Sequence, residues 1–184
     1  MTAGDPSLEI EGVLELLGSP GQAPAAGSAA ALAGALAAAV VAKAARASER
    51  PATAAQAVRL QQRLTLLAKR DAEALHEARR LLATAGDGRD AELGRALHLA
   101  MTVPGEIGAS CADVALLAGA EREAVLPDHR PDLEGAAALA AGAARAAAHL
   151  VAVNLAATPD DAEVTASRAA ADAAIEVVAG FGRI

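Results

Sequence analysis

Pro20-Gly21-Gln22-Ala23-Pro24-Ala25-Ala26-Gly27-Ser28 opens directly into Ala29-Ala30-Ala31-Leu32-Ala33-Gly34-Ala35-Leu36-Ala37-Ala38-Ala39-Val40, a Pro/Gly loop feeding an alanine-dense run. Alanine has the highest helix propensity and loses no side-chain entropy on folding, so the run reads as a helix. Ser28, the last polar residue before it, is the expected N-cap. The first turn of a helix leaves backbone N–H groups without intrahelical partners, and these favour an anion or an electron-rich ligand atom.

The same chemistry runs through all 184 residues, which are 54% hydrophobic yet carry a single aromatic residue, Phe181. Alternating β-branched or aromatic runs that would mark strands are missing. The expectation is therefore an all-α protein, one domain over residues 1–184, folded as a bundle of about six to seven helices with one long central helix. Small side chains let helix axes approach closely, and the Ala30, Gly34, Ala38 ladder predicts such packing within the fold or across a dimer.

Breakers and caps place the remaining helices. Ser7 caps a short helix to about Leu17, closed by Gly18 and Pro20, and the alanine helix ends near Ser48 before Pro51. The longest helix covers about Thr53 to Ala85, up to the Gly86-Asp87-Gly88 turn. A fourth spans Asp90 to Val103; Pro104 either kinks it or opens a fifth that continues to about Val125. Asp132 caps a sixth through Ala157, and Asp160 with Glu163 forms a capping-box pattern for a last helix to about Ala179.

Charge and cysteine content narrow the function. A net charge of −7 and almost no aromatic residues argue against nucleic-acid binding, which needs a basic footprint and usually stacking platforms. The charge is uneven: Lys43, Arg46, Arg50, Arg59, Arg63, Lys69 and Arg70 face one acid, Glu49, within residues 43–70. Such cations either line solvated helix faces or create a local field for an anionic small substrate. Cys111 is the only cysteine, so an intrachain disulfide is excluded and a reducing cytoplasm is expected. The chain shows no secretory signal pattern, and its longest apolar run, Ala29 to Ala42, stops short of the roughly 20 residues that span a bilayer. No membrane association is expected. The four histidines show no metal-ligand spacing with one another or with Cys111, and no nucleophile elbow, P-loop or dinucleotide fingerprint occurs.

Polar residues in apolar seams are the candidates for chemistry. On the long helix Leu60, Leu64, Leu67, Asp71, Leu75, Ala78 and Leu82 share one face, whereas Arg59, Arg63, Lys69, Glu73 and Glu77 lie outside it. A carboxylate facing a core is costly unless paired, and desolvation raises its pKa. Asp71 is thus a candidate general base or cation stabiliser, or else a structural acid paired with a distant cation or capping a neighbouring helix start. Asn154 continues the Ala136, Ala140, Ala143, Ala147, Val151 face, as a packing device or as donor and acceptor to a bound heterocycle. Lys43 extends the Leu32, Leu36, Val40 stripe, as a snorkelling lysine or as a receptor for an anionic tail.

With the loop, Ser28, Asp71 and Asn154 identified, the chain resembles the cyclodeaminase/cyclohydrolase family, which comprises the C-terminal domain of formiminotransferase-cyclodeaminase and stand-alone methenyltetrahydrofolate cyclohydrolases. The family's short helix, Pro-Gly-Gly-Gly-Ser loop and Ala-rich helix resemble Ser7 to Leu17, Pro24-Ala25-Ala26-Gly27-Ser28 and Ala29 to Val40. Asp71-Ala72-Glu73-Ala74, Val103-Pro104 with Ile107 and Cys111, Pro131-Asp132 and Val153-Asn154-Leu155 resemble later family landmarks. Ala25 and Ala26 replace two loop glycines, residues 42–50 depart from the family's Met-Val and Leu-Thr-Gly segment, and Leu150 stands where an asparagine is usual.

The resemblance implies a homodimeric helical enzyme of folate one-carbon metabolism with a tetrahydrofolate derivative as substrate and no separate cofactor or metal. The implied reaction is hydrolysis of 5,10-methenyltetrahydrofolate to 10-formyltetrahydrofolate, or cyclodeamination of 5-formiminotetrahydrofolate, with the lone domain leaning towards the former. Asp71 would be catalytic, and Pro24, Gly27, Ser28, Lys43, Arg46, Pro104, Asp132 and Asn154 would bind substrate. The departures suggest an alternative: a diverged member that binds a metabolite or partner without folate chemistry, or acts on another imine or amidine.

Overall fold

The computed structural model describes residues 6–20, 25–83, 89–154 and 161–182. Six α-helices and one 3-10 turn account for nearly all of them: α1 (Pro6–Gly18), α2 (Ala26–Ala47), α3 (Pro51–Ala83), α4 (Arg89–Glu121), η1 (Pro127–His129), α5 (Arg130–Asn154) and α6 (Ala162–Ala179). The all-α expectation holds. α2, α3, α4 and α5 form a four-helix bundle in which each packs against two neighbours, and α6 covers one side against α4 and α5. The central long helix becomes two, because α3 and α4 each run 33 residues, about 50 Å.

The core is built from small residues around a few larger ones. Val41, Leu64, Leu67, Val103, Ile107, Val114 and Leu133 are fully buried among alanines from α2, α4 and α5. Gly34 shows how tightly the axes approach, since a Cβ there would lie 3.1 Å from Leu64 Cδ1 and closer still to Cys111 Sγ. The Ala30, Gly34, Ala38 ladder therefore packs inside the fold, against α3 and α4.

Several helix limits differ from the sequence reading. α1 begins at Pro6, one residue before the expected cap Ser7, because proline suits the first helical position where its missing N–H loses nothing. α3 likewise begins at Pro51 instead of Thr53. α2 begins at Ala26, with Ala25 in the cap position and Ser28 already inside the first turn. Pro104 neither ends α4 nor starts a new helix; α4 continues through it to Glu121, and Pro104 is buried in the core. Asp132 lies within the first turn of α5, which starts at Arg130 after the 3-10 turn. On α6 the cap is Asp161, so Glu163 falls one position short of a capping box; Asp160 and residues 155–157 lie outside the described residues.

Two segments, Ala26–Ala47 and Pro127–Val153, are long and apolar enough to cross a membrane by length and composition alone. This corrects the reading from the uninterrupted apolar run, since a helix tolerates an occasional charge. In the bundle 56% and 50% of these two windows are buried, the pattern of core helices.

Candidate active site

The seam of α3 carries Asp71 into the protein as its spacing predicts. Leu64, Leu67, Asp71, Ala74 and Ala78 are buried; Leu82 is exposed and Leu81 takes the core position instead. Asp71 is 8% exposed and faces the start of α2. Its Oδ2 accepts a 2.8 Å hydrogen bond from Ser28 Oγ, and the Ser28 backbone N–H also donates to the carboxylate. The acid thus satisfies a first-turn N–H of α2 that the helix's own cap residue, Ala25, leaves without a side-chain acceptor. Gly27 makes this approach possible, since a Cβ there would lie 2.7 Å from Asp71 Oδ2 and closer to Oδ1.

Burial pushes the Asp71 carboxyl above its ordinary value, and the two hydrogen bonds from Ser28 pull only partly the other way. Ser28 Oγ also lies 3.1 Å from Ala68 O, yet the hydroxyl has one proton. When Asp71 is ionised, Ser28 donates to it. When Asp71 is protonated, the carboxyl can donate to Ser28 Oγ, which turns its proton to Ala68 O. The pair is consequently satisfied in both protonation states, as a group that accepts and returns a proton requires.

Asp71 opens onto a cleft of about 190 Å³ lined also by Ala25, Ala26, Gly27, Leu75, Arg79, Ala100 and Leu150. Arg79 escaped the sequence reading. Asp71, Leu75 and Arg79 follow one another at four-residue spacing, so they form a ridge along α3 with Arg79 about 12 Å from the acid along the helix axis. No carboxylate among the described residues pairs with Arg79. That spacing was the available signal.

The other expected binding residues are not gathered here. Lys43 and Arg46 lie near the far end of α2, where Lys43 pairs with Asp132 at 3.3 Å. The structure does not bring them to Asp71: α2 keeps Lys43 about 22 Å along its axis from Ser28. Arg50 pairs with Glu121, Lys69 with Glu73 and Arg70 with Glu106, so four of the seven clustered cations balance acids on the bundle surface. Pro104 packs in the core one turn beyond Ala100 and does not line the cleft. Pro24 and the Asn154 side chain lie outside the described residues, whereas Leu150, one turn before Asn154, is in the lining.

Cys111 is buried against Ala30 and Gly34, and desolvation pushes its thiol up to about 12. At that value it remains a protonated packing group. No cluster of three metal-ligating side chains occurs among the described residues.

A family model described as formiminotransferase-cyclodeaminase matches residues 9–173, a span that includes α2, the Asp71 seam and the whole bundle. The chain belongs to the formiminotransferase-cyclodeaminase family. Its fold is similar to that of formiminotetrahydrofolate cyclodeaminase from Thermotoga maritima, with a TM-score of 0.77 and 18% identity over 94% of this chain and 96% of that one. No curated protein matches the sequence. Within this fold, the first turn of α2 and the acid on α3 meet in space although 43 residues separate Ser28 from Asp71.

Proposed function

We propose that the protein is an enzyme of folate one-carbon metabolism acting at the cationic amidinium-type carbon shared by 5,10-methenyltetrahydrofolate hydrolysis and 5-formiminotetrahydrofolate cyclodeamination. The observation that carries this reading is the buried Asp71 carboxyl, raised in pKa and held by Ser28 at a helix start that opens into a cleft. Family membership and the formiminotetrahydrofolate cyclodeaminase of the same fold support it.

In the hydrolytic direction, water adds to the carbon between the two folate nitrogens while Asp71 takes one of its protons. The resulting tetrahedral carbon loses its bond to N5, which receives the proton held by Asp71. The hydroxyl proton passes to solvent as the formyl C=O forms. In cyclodeamination N10 attacks the formimino carbon, and the same carboxyl moves a proton from N10 to the departing ammonia. Both sequences use Asp71 first as base, then as acid, a role suited to a carboxyl shifted upward by burial. Its negative charge also stabilises the cationic carbon. Arg79 supplies the positive end of the cleft, suited to a ligand carboxylate.

A second reading is favoured by the lining itself. Ala25 and Ala26 add methyl groups at the mouth, Leu150 contributes an apolar wall, and about 190 Å³ is small beside the roughly 300–1,000 Å³ usual for ligand sites. These features suit a smaller imine or amidine handled by the same acid.

Incubation with 5,10-methenyltetrahydrofolate decides between them. Loss of the methenyl absorbance faster than in buffer, falling about 10²- to 10³-fold in Asp71→Asn while helicity is kept, is the expected result. Equal rates with and without protein, for this substrate and for 5-formiminotetrahydrofolate, would remove the folate reading.

A further inference from the structure

α5 and α6 pack side by side, and two hollows of about 470 and 380 Å³ open between them, sharing Arg145 and Ile175. Both are larger than the cleft at Asp71 and fall within the roughly 300–1,000 Å³ usual for small-molecule sites. The two halves differ in chemistry. In one, Ala138, Ala141 and Gly142 of α5 face Ile175, Val178 and Ala179 of α6, and Arg145 at the junction is the single charged residue. Beyond that junction the lining turns polar, with Arg145 and His149 one turn apart on α5 and Arg168 and Asp172 one turn apart on α6.

The polar half holds more positive charge than its own acid balances. Neither Arg145 nor Arg168 pairs with a carboxylate among the described residues, and the one acid in the lining is Asp172. His149 adds a ring N–H donor. Two guanidinium groups on facing helices, in a chain of net charge −7, make a receptor for one anionic head. The apolar half has room that the fold leaves open, since a Cβ at Gly142 would meet nothing within 4 Å. From Ala138 to Arg145 this half runs about 10 Å along α5, the length of an extended chain of about eight carbons.

We propose that the α5/α6 groove binds a medium-chain aliphatic carboxylate, its chain in the apolar hollow and its carboxylate between Arg145 and Arg168. Charge selects the head and area selects the tail. Guanidinium–carboxylate hydrogen bonds are charge-assisted and directional, whereas the chain gains from the removal of apolar surface from water. The occupant is a free acid and not a lipid surface, because an anionic membrane repels a protein of net charge −7. Among the described residues this groove shares no lining residue with the cleft at Asp71, so the inference stands apart from whatever substrate reacts there.

Isothermal titration calorimetry of the full chain with butanoate, hexanoate, octanoate and decanoate tests this without any catalytic readout. Affinity is expected to rise about two- to fourfold per methylene up to octanoate and then level off, as carbons beyond the hollow stay in water. Octanol and octylammonium, which carry the tail without the anion, should bind about tenfold more weakly than octanoate. Gly142→Leu fills the apolar hollow with a better helix former, and should abolish octanoate binding with helicity kept. Arg145→Gln/Arg168→Gln should weaken octanoate about tenfold and erase its advantage over octanol. Arg79→Ala, in the other cleft, should leave octanoate binding as it is. No binding of octanoate, an affinity indifferent to chain length, octanol bound as tightly as octanoate, or octanoate retained by Gly142→Leu or by the double arginine variant would each overturn the proposal. So would octanoate binding lost in Arg79→Ala, or cosedimentation with phosphatidylglycerol vesicles that depends on Arg145 and Arg168.

Discussion

A methyl group added at Gly27 would occupy the space of the Asp71 carboxylate, so glycine is required there by proximity to a side chain and not by backbone conformation. Gly27→Ala must push α3 or the carboxylate away from Ser28, and is expected to destabilise the fold by about 1–3 kcal/mol, read by thermal unfolding. Asp71 itself makes stability depend on pH. Because burial raises its folded-state pKa above the ordinary 3.8, the fold favours the protonated carboxyl. Its contribution is complete below that ordinary value and is lost as pH rises through the folded-state value. The melting temperature of wild type relative to Asp71→Asn should therefore fall as pH is raised from about 4, then level off. A difference that does not change with pH would show that the carboxyl is not desolvated. The sequence disclosed the position of this acid because leucines recur around it at helical spacing. It could not disclose whether Asp71 caps a helix or performs chemistry, and the structure shows that the capping contact and the cleft wall are the same carboxylate.

Helix existence followed from alanine and leucine periodicity, whereas helix ends depended on partners distant in sequence. Ser28 looks like a cap in its local context, yet the cap is Ala25, three residues earlier, and Asp71 of α3 accepts the first-turn N–H of Ser28 from outside the segment. The end of α2 shows a different local solution. Arg50 N bonds Ala45 O at 2.9 Å and Glu49 N bonds Arg46 O at 3.2 Å, the two hydrogen bonds of a Schellman motif. The residue that this motif holds in the left-handed region is Glu49, at φ 54°, where glycine would carry no Cβ penalty. Glu49→Gly should stabilise the protein by about 1 kcal/mol in chemical denaturation, with the denaturant slope unchanged. A loss of stability would mean that the Glu49 side chain contributes more than its backbone strain costs. Pro104 is the converse case, a breaker overridden because α4 is held on both sides by α3, α5 and α6.

Across the whole molecule, the bundle separates charges that lie close in sequence or in composition. The basic segment from Lys43 to Arg70 suggests one anion-binding field, but the end of α2 and the turn after it carry Lys43, Arg46 and Arg50 to the end of the bundle remote from Asp71, while Lys69 and Arg70 precede Asp71 on α3 and pair with Glu73 and Glu106. At the remote end Lys43 meets Asp132 and Arg50 meets Glu121, pairs that join α2, and the turn after it, to α5 and α4. Arg79, outside that segment, lies on the cleft because α3 continues two turns past Asp71. If the cleft binds a carboxylate-bearing substrate, Arg79→Ala should raise KM about tenfold, the loss of one partly exposed charge-assisted hydrogen bond of about 1.4 kcal/mol, and leave kcat nearly unchanged. Lys43→Ala and Arg46→Ala should leave both constants as they are, since a screened charge some 22 Å along the helix lies beyond the Debye length of about 8 Å at physiological ionic strength. Steady-state kinetics on the three variants assigns the anion site: a KM effect confined to Lys43→Ala and Arg46→Ala would place the substrate tail at the opposite end of α2 and detach it from Asp71.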